Sequence, residues 1–445
     1  MELATNKKLV AVFNVESQAF EGLSAAEGIT MATILLRTLF DRITSATVGA
    51  RLFLVLSLIG ALSQTTTASA QGERSRQCGE DLRPLVEATM VQRGVPGVIV
   101  FVSVPNVCEW TAALGVADVV VGRPMRRDDH VRVGSITKTF TGTVVLQLVD
   151  EGRVVLDDPI SRYLTRVPNG ENITVRQLLH MTSGLYNYSD DLVFNMSLDN
   201  EPQKNWTRGE LLNIAFSHAP YFPPGQGFHY SNTNSVLLGL LVETVTGRRF
   251  ENEVESRIFR PLGLRGTSLP SSPRIPSPRS HGYQFGTNVG TLVPPACDAE
   301  TAGRRDAPAD SPSWTWSAGG AISTLHDLKV WARALAIGTL LTPATQAERL
   351  DWVPTGPPPA PRYGLHITDF FGIIGHDGAL PGYQSFMGYL PARDATLVVL
   401  ANLFPDAECG SPADEIAQAI LRQLQLLAPP DEGSPPRSPT VAVPD

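Results

Sequence analysis

The sequence predicts an α+β protein, in which an antiparallel sheet built from both chain ends is flanked by helices and a mainly helical subdomain is inserted between the halves. Three observations predict it. Strand patterns cluster early, around the run GVIVFVSV from Gly97 to Val104, and return only late, beyond residue 360. Between about residues 156 and 312 the pattern is helical and loop-like, with few strand signals. With 445 residues and 42% hydrophobic content, the chain can bury the core of one large domain or of two closely packed ones.

Taken in order, the chain begins with a segment that reads as a leader. An apolar run of 11 residues, Leu52 to Leu62, is too short to span a bilayer and is followed by threonines and by Ala68-Ser69-Ala70. This predicts a secretory signal cleaved after Ala70, with Met31 as the translation start and residues 1–70 as leader. It places the protein outside the cell or in the periplasm, with no transmembrane span after cleavage. A catalytic domain follows over 71–427, with its helical subdomain at about 156–312. The tail from 428 to 445, PPDEGSPPRSPTVAVPD from Pro429, is Pro-rich and expected to be disordered.

Within the domain, a helix is expected over 81–93, ended by Gly94 and Pro96, then the strand from Gly97, a turn at Pro105-Asn106 and a returning strand over 109–115. The segment from Ser135 to Asp150 carries Ile136, Phe140, Val144 and Leu148 at i+4 steps, which predicts a buried helix. Further helices are expected near 174–181, 207–217, 233–246 and 251–259, and a long excursion over 271–310. Late strands are expected at 364–374, 384–390 and 396–402, and a closing helix from Pro412 to about Leu427.

Composition narrows the function. A formal charge of -8 and the lack of a basic run argue against a nucleic-acid surface. Four cysteines, Cys78, Cys108, Cys297 and Cys409, show no metal-ligand spacing. In an oxidising compartment they allow two bridges in three connectivities, and four unpaired buried thiols are the alternative. The N-x-S/T triplets at Asn172, Asn187, Asn195 and Asn205 read as chance matches. Only five of the 36 basic residues are lysines. Arginine cannot give up its proton, so a site that needs a neutral amine must keep lysine.

Ser135 and Lys138 fit such a site. Three residues apart on a helix they share a face, Gly134 permits a close approach, and the N–H groups of the helix start favour developing negative charge. Alone, S-x-x-K is weak, since an N-capping serine and a solvated lysine give the same pattern. At Tyr230-Ser231-Asn232, ahead of an apolar helix, Tyr230 and Asn232 point the same way from an extended segment. A core tyrosine and a helix-capping asparagine are the plain alternative. The third piece is His376-Asp377-Gly378-Ala379, expected on an edge-like strand, where a glycine lets a substrate or backbone come close. In isolation a surface turn would explain it equally well.

In this order and at these separations, S-x-x-K, Y-S-N and H-x-G resemble the three signature elements of the serine β-lactamase and D-Ala-D-Ala carboxypeptidase family, especially its class C-like branch. The stretches VRVGSITKTFTGTVVLQLVDEGRVVLDDPISRYL, ITVRQLLHMTSGL, GFHYSNTNSVLLGLLVETVTG, IFRPLGLRGTS and SAGGAISTLHDLKVWARAL are also similar to it, and the likeness runs from Leu82 to Leu427. The resemblance implies that Ser135 is acylated, that Lys138 takes its proton, and that Tyr230 relays a proton to the leaving group and later activates water. Asn232 would hold the amide side of a substrate, His376 stands where lysine is common, and the N–H groups of Ser135 and Ala379 would form an oxyanion hole. It implies no metal and no organic cofactor.

The middle position of the third motif is often threonine or serine in that family, and here it is Asp377. An ionised carboxylate facing the cleft would repel a substrate carboxylate and could attract an amine, whereas one turned away would orient a neighbour. The expected partner is a small-molecule or peptide substrate, a cell-wall peptide among them. An esterase of the same fold and a non-hydrolysing penicillin-binding sensor or scaffold are the rival readings. No G-x-S-x-G elbow and no H-E-x-x-H motif points elsewhere.

Overall fold

Apolar side chains alternate between the two faces of the strand from Gly97 to Val104, and both faces are covered. Ile99 and Phe101 join one core cluster, and Val98, Val100 and Val102 join another on the opposite face. An antiparallel strand buried on both sides therefore reads as a nearly continuous apolar run. The computed structural model describes residues 75–426 apart from 271, 293–303 and 308–309. The expected leader, its cleavage site and the tail lie outside the described residues, as does Cys297.

Nine strands form the main sheet: β1 (Gly97–Val104), β2 (Cys108–Asp118), β3 (Arg123–Pro124), β4 (Val353–Pro354), β5 (Arg362–Tyr363), β6 (Thr368–Phe370), β7 (Ile373–Leu380), β8 (Tyr383–Leu390) and β9 (Ala395–Ala401). Their order is β3-β2-β1-β9-β8-β7-β6-β5-β4. The first hairpin turns through Asn106 at a φ of 61°, and β1 then pairs antiparallel with β9, from Val98 opposite Ala401 to Ser103 opposite Thr396. That pairing joins the two ends of the domain, as the distribution of strand signals predicted.

One face of the sheet is covered by α1 (75–93) and by the closing helix Pro412–Gln423, through Leu82, Val86, Ile416 and Ile420. Cys78, in α1, is bridged to Cys108 at the start of β2. The other face carries α2 (Ile136–Asp150) and α4 (Leu325–Ile337), with α3 (Asn232–Thr246) packed against α2 and the smaller helices of the inserted region around them. No helix among the described residues is long and apolar enough to cross a membrane.

The central helix α2 is buried on nearly all sides rather than along one stripe, and its threonines make that possible. Thr139 and Thr143 donate their hydroxyls to Ile136 O and Thr139 O, and Thr141 donates to Ser317 O. Thr139 and Thr143 are thus satisfied within the helix and Thr141 by a neighbouring carbonyl.

Several expectations need correction. The run 364–374 is not one strand: Phe371 and Gly372 adopt φ values of 59° and 98°, turning the chain between β6 and β7, and Asp369 Oδ1 accepts from Gly372 N. β7 is an interior strand rather than an edge. Yet β6 pairs only with Ile373 to Gly375, so the half of β7 from His376 onward is paired with β8 alone and keeps one open edge. Helices Leu192–Asn200, Leu325–Ile337 and Pro343–Arg349 were not expected, although Asp191, Thr324 and Thr342 cap them in the ordinary way. The helix starting at Phe250 continues through a wider π-type turn to Leu262. The burial of Asn187 and Asn195, each only 5% exposed, agrees by contrast with reading their triplets as chance matches.

Candidate active site

The site forms where the start of α2 meets the open edge of β7. Gly134 turns the chain at a φ of +52°, and Ser135 follows at the N-cap position of α2, at φ -63° and ψ -9°. Its hydroxyl makes no capping bond, which removes the plain explanation of an N-capping serine. Two glycines let the nucleophile turn and the strand touch. A methyl group on Gly378 would stand 2.1 Å from Val133 O and 2.9 Å from Ser135 N, and one on Gly134 would stand 2.7 Å from Ala379 N. Ser385, on β8, fastens the two by donating to Val133 O at 2.9 Å. The main chains of Ser135 and Ala379 thus border a single gap.

Lys138 is fully buried, so the alternative of a solvated lysine fails as well. Its Nζ lies 3.0 Å from Ser135 Oγ, 2.7 Å from Asn232 Oδ1 and 2.8 Å from Ala318 O, and 4.7 Å from the centre of the Tyr230 ring. Burial drives its pKa down to about 7, against an opposing pull from Asp377. Because Asn232 Oδ1 and the Ala318 carbonyl can only accept, a neutral amine donates its two hydrogens to them. Its lone pair is then left for the Ser135 hydroxyl.

Tyr230 is held well above the usual phenol range, first by burial and then by Asp377, with the nearby Ser135 hydroxyl pulling the other way. Its Oη is buried and has no hydrogen bond of good geometry, an open valence aimed at the site. Of the two candidate bases, the amine rather than the phenol is the one able to accept a proton at neutral pH.

Asn232, expected to hold a substrate amide, is engaged at both ends: Oδ1 accepts from Lys138, and Nδ2 donates to Ser189 Oγ at 2.9 Å. Its own N–H is fixed by Asn187 Oδ1 at 3.0 Å. His376 is buried rather than open to the cleft, with Nε2 at 3.1 Å from Tyr363 Oη and Nδ1 at 2.6 Å from Asp377 O. The Asp377 side chain is 42% exposed, and its Oδ1 stands 3.3 Å from His376 Nδ1. Adjacent residues of a strand point to opposite faces, so this contact requires the carboxylate to curl around the open edge of β7. All eight residues singled out from sequence lie at this junction.

Four further contributors were not legible in the sequence. Tyr363 meets Tyr230 edge-on at 6.0 Å and bonds His376. Ser189 and Asn187, in the polar run after the TSGL stretch, brace Asn232. His366 lies behind the helix at φ 56°, with Nδ1 3.1 Å from the Lys138 carbonyl. Burial and the charge of Lys138 hold its imidazole neutral, which makes it a donor to that carbonyl. Among the described residues no group of three or more His, Cys, Asp or Glu could hold a metal ion.

A family model described as Beta-lactamase matches residues 82–421. Among solved structures, a D-stereospecific amidohydrolase from Streptomyces sp. is 34% identical with a TM-score of 0.67, covering 76% of this chain and 97% of that one. The D-amino acid amidase of Ochrobactrum anthropi SV3, complexed with D-phenylalanine, is 28% identical with a TM-score of 0.66, covering 78% and 99%. Protein flp of Staphylococcus aureus (strain MRSA252) is 26% identical over 280 residues, 61% of this chain and 52% of that protein, so the chain spans about half the length of the curated relatives it matches first. With the family model spanning most of the chain, and an antiparallel sheet flanked by helices shared with these neighbours, this protein belongs to the beta-lactamase family of serine hydrolases.

Proposed function

We propose that the protein is an exported hydrolase that cleaves amide or ester substrates through an acyl-enzyme on Ser135. The observation that carries the reading is the buried amine of Lys138, its pKa brought down to about 7, at 3.0 Å from Ser135 Oγ. As Ser135 Oγ bonds to the substrate carbonyl carbon, its proton passes to Lys138 Nζ, and the carbonyl electrons move onto oxygen between the N–H groups of Ser135 and Ala379. Collapse restores the carbonyl and breaks the bond to the leaving group. That group departs with a proton relayed from Lys138 through Tyr230, whose phenol is kept protonated. Water then attacks the ester by the reverse path and regenerates Ser135 and Lys138.

Export is supported by the apolar run before Ala68-Ser69-Ala70 and by the Cys78–Cys108 bridge, which belongs to an oxidising compartment. The amidohydrolase and amidase among the neighbours favour amide cleavage. Within it, D-alanyl-D-alanine carboxypeptidase-like and β-lactamase-like activities are tested beside D-amino-acid amides and a short nitrophenyl ester. Intact-mass analysis with a fluorophosphonate or penicillin probe is the direct experiment: the wild type is expected to gain one adduct and Ser135→Ala none. Equal labelling of the variant contradicts the assignment. Stoichiometric labelling with no turnover on the whole panel would favour the sensor or scaffold reading.

A further inference from the structure

We propose that Asp377 is the specificity-determining residue of this site, its carboxylate binding the ammonium of an acyl donor that carries a free amine, with His376 and Tyr363 as positioning residues. The inference rests on the acyl-enzyme reading above and adds what the site selects.

Four observations converge on it. First, the Asp377 side chain is 42% exposed on the open half of β7, two residues from Ala379, whose N–H borders the Ser135 gap. Any acyl group on Ser135 lies beside it. Second, the carboxylate is held rather than free. His376 Nδ1 meets Oδ1 at 3.3 Å, while the far side of the ring is fixed by Tyr363 Oη at 3.1 Å from Nε2. Among the described residues no side chain other than His376 engages the carboxylate, which leaves Oδ2 for a ligand.

Third, the group is an anion. Burial among neighbouring atoms raises its pKa, but the bond to His376, its own N–H and the pull of Lys138 together bring it below the usual carboxylate range. Asp414 in the closing helix feels that negative charge and is itself held well above the usual carboxylate range, first by burial. Fourth, among the described residues no lysine or arginine forms an ion pair with it: Lys138 is buried and bonded to Asn232 and Ala318. A fixed carboxylate beside a reacting acyl group attracts a substrate ammonium and repels a substrate carboxylate, so it both selects and excludes.

The test compares D-phenylalanine amide with 3-phenylpropanamide, which differs only in lacking the amine, on the full chain. The wild type is expected to prefer the amine-bearing substrate in kcat/KM. In Asp377→Asn and Asp377→Thr the preference should fall by about 10- to 100-fold, the range of a charge-assisted hydrogen bond. Tyr363→Phe, which removes only the hydroxyl on His376, should raise KM for the amine-bearing amide several-fold with kcat little changed, a split that a general loss of stability would not give. A wild type without preference, or variants in which both substrates fall equally, overturns the proposal while leaving fluorophosphonate labelling of Ser135 intact. Absence of that labelling in the wild type brings down the nucleophile assignment, and this inference with it.

Discussion

The burial of Lys138 decides the chemistry at the scale of single residues. Water would keep the amine charged, and the apolar body of α2 removes that water. The polar atoms left around it, Asn232 Oδ1, Ala318 O and Ser135 Oγ, can all accept, and only the serine can also give up a proton. Lys138→Arg keeps a basic side chain of similar reach but cannot deprotonate, so acylation by the fluorophosphonate probe should slow by about 10² to 10⁴, the usual worth of a general base. Retention of near wild-type labelling in that variant would mean that another group takes the proton. Ser135, Lys138, Tyr230 and Asn232 were legible because their spacing is local. Tyr363 and His366 were not. Each acts through a contact made only on folding, and a lone tyrosine or histidine in a loop carries no pattern.

Among the elements, the site depends on how near β7 comes to the start of α2. No side chain longer than hydrogen fits between Gly378 and Val133 O, and the fit would fail by more than an ångström. Gly378→Ala must therefore push the nucleophile turn away from the strand and separate the two N–H groups that border the gap. A loss of at least about 10² in acylation rate is expected, the usual effect of one lost oxyanion donor. Secondary structure by circular dichroism should be retained, so loss of the whole fold would argue instead that the glycine serves stability. The sequence made the H-x-G motif visible but misjudged its strand. Periodicity shows that a segment is extended, whereas the stopping of β6 at Phe370 depends on the turn through Phe371 and Gly372. The open edge that exposes Asp377 is a property of that pairing, not of the motif.

For the molecule as a whole, the fold class was readable because the apolar runs fall at both ends of the domain and helical signals fill the middle. Burying them leaves one solution: the ends meet in one sheet, with helices on each face. Missed were Leu192–Asn200 in the inserted region, where the Asp191 cap was a local sign, and α4 on the sheet, although Thr324 caps it and Leu325, Leu328, Trp331 and Leu335 recur at helical spacing. The closing helix holds the face of the sheet away from the site. Ile416 is completely buried there, so Ile416→Ala should cost about 2 to 5 kcal/mol of stability, seen as a lower urea midpoint. Labelling of Ser135 in the absence of urea should be nearly unchanged. A variant that kept its midpoint would show that this helix does not complete the core.

The most direct measurement is the pH dependence of Ser135 acylation by a neutral probe, followed by stopped-flow or intact mass from pH 5 to 10. A buried amine with a pKa of about 7 binds its proton below that value and frees its lone pair above it. The rate should therefore rise about tenfold per pH unit on the acid side, reach half its plateau near pH 7 and stay level to at least pH 9. A profile that is flat across this range, or one still climbing at pH 10 as for an ordinary lysine, would contradict a neutral Lys138 as the group that takes the proton.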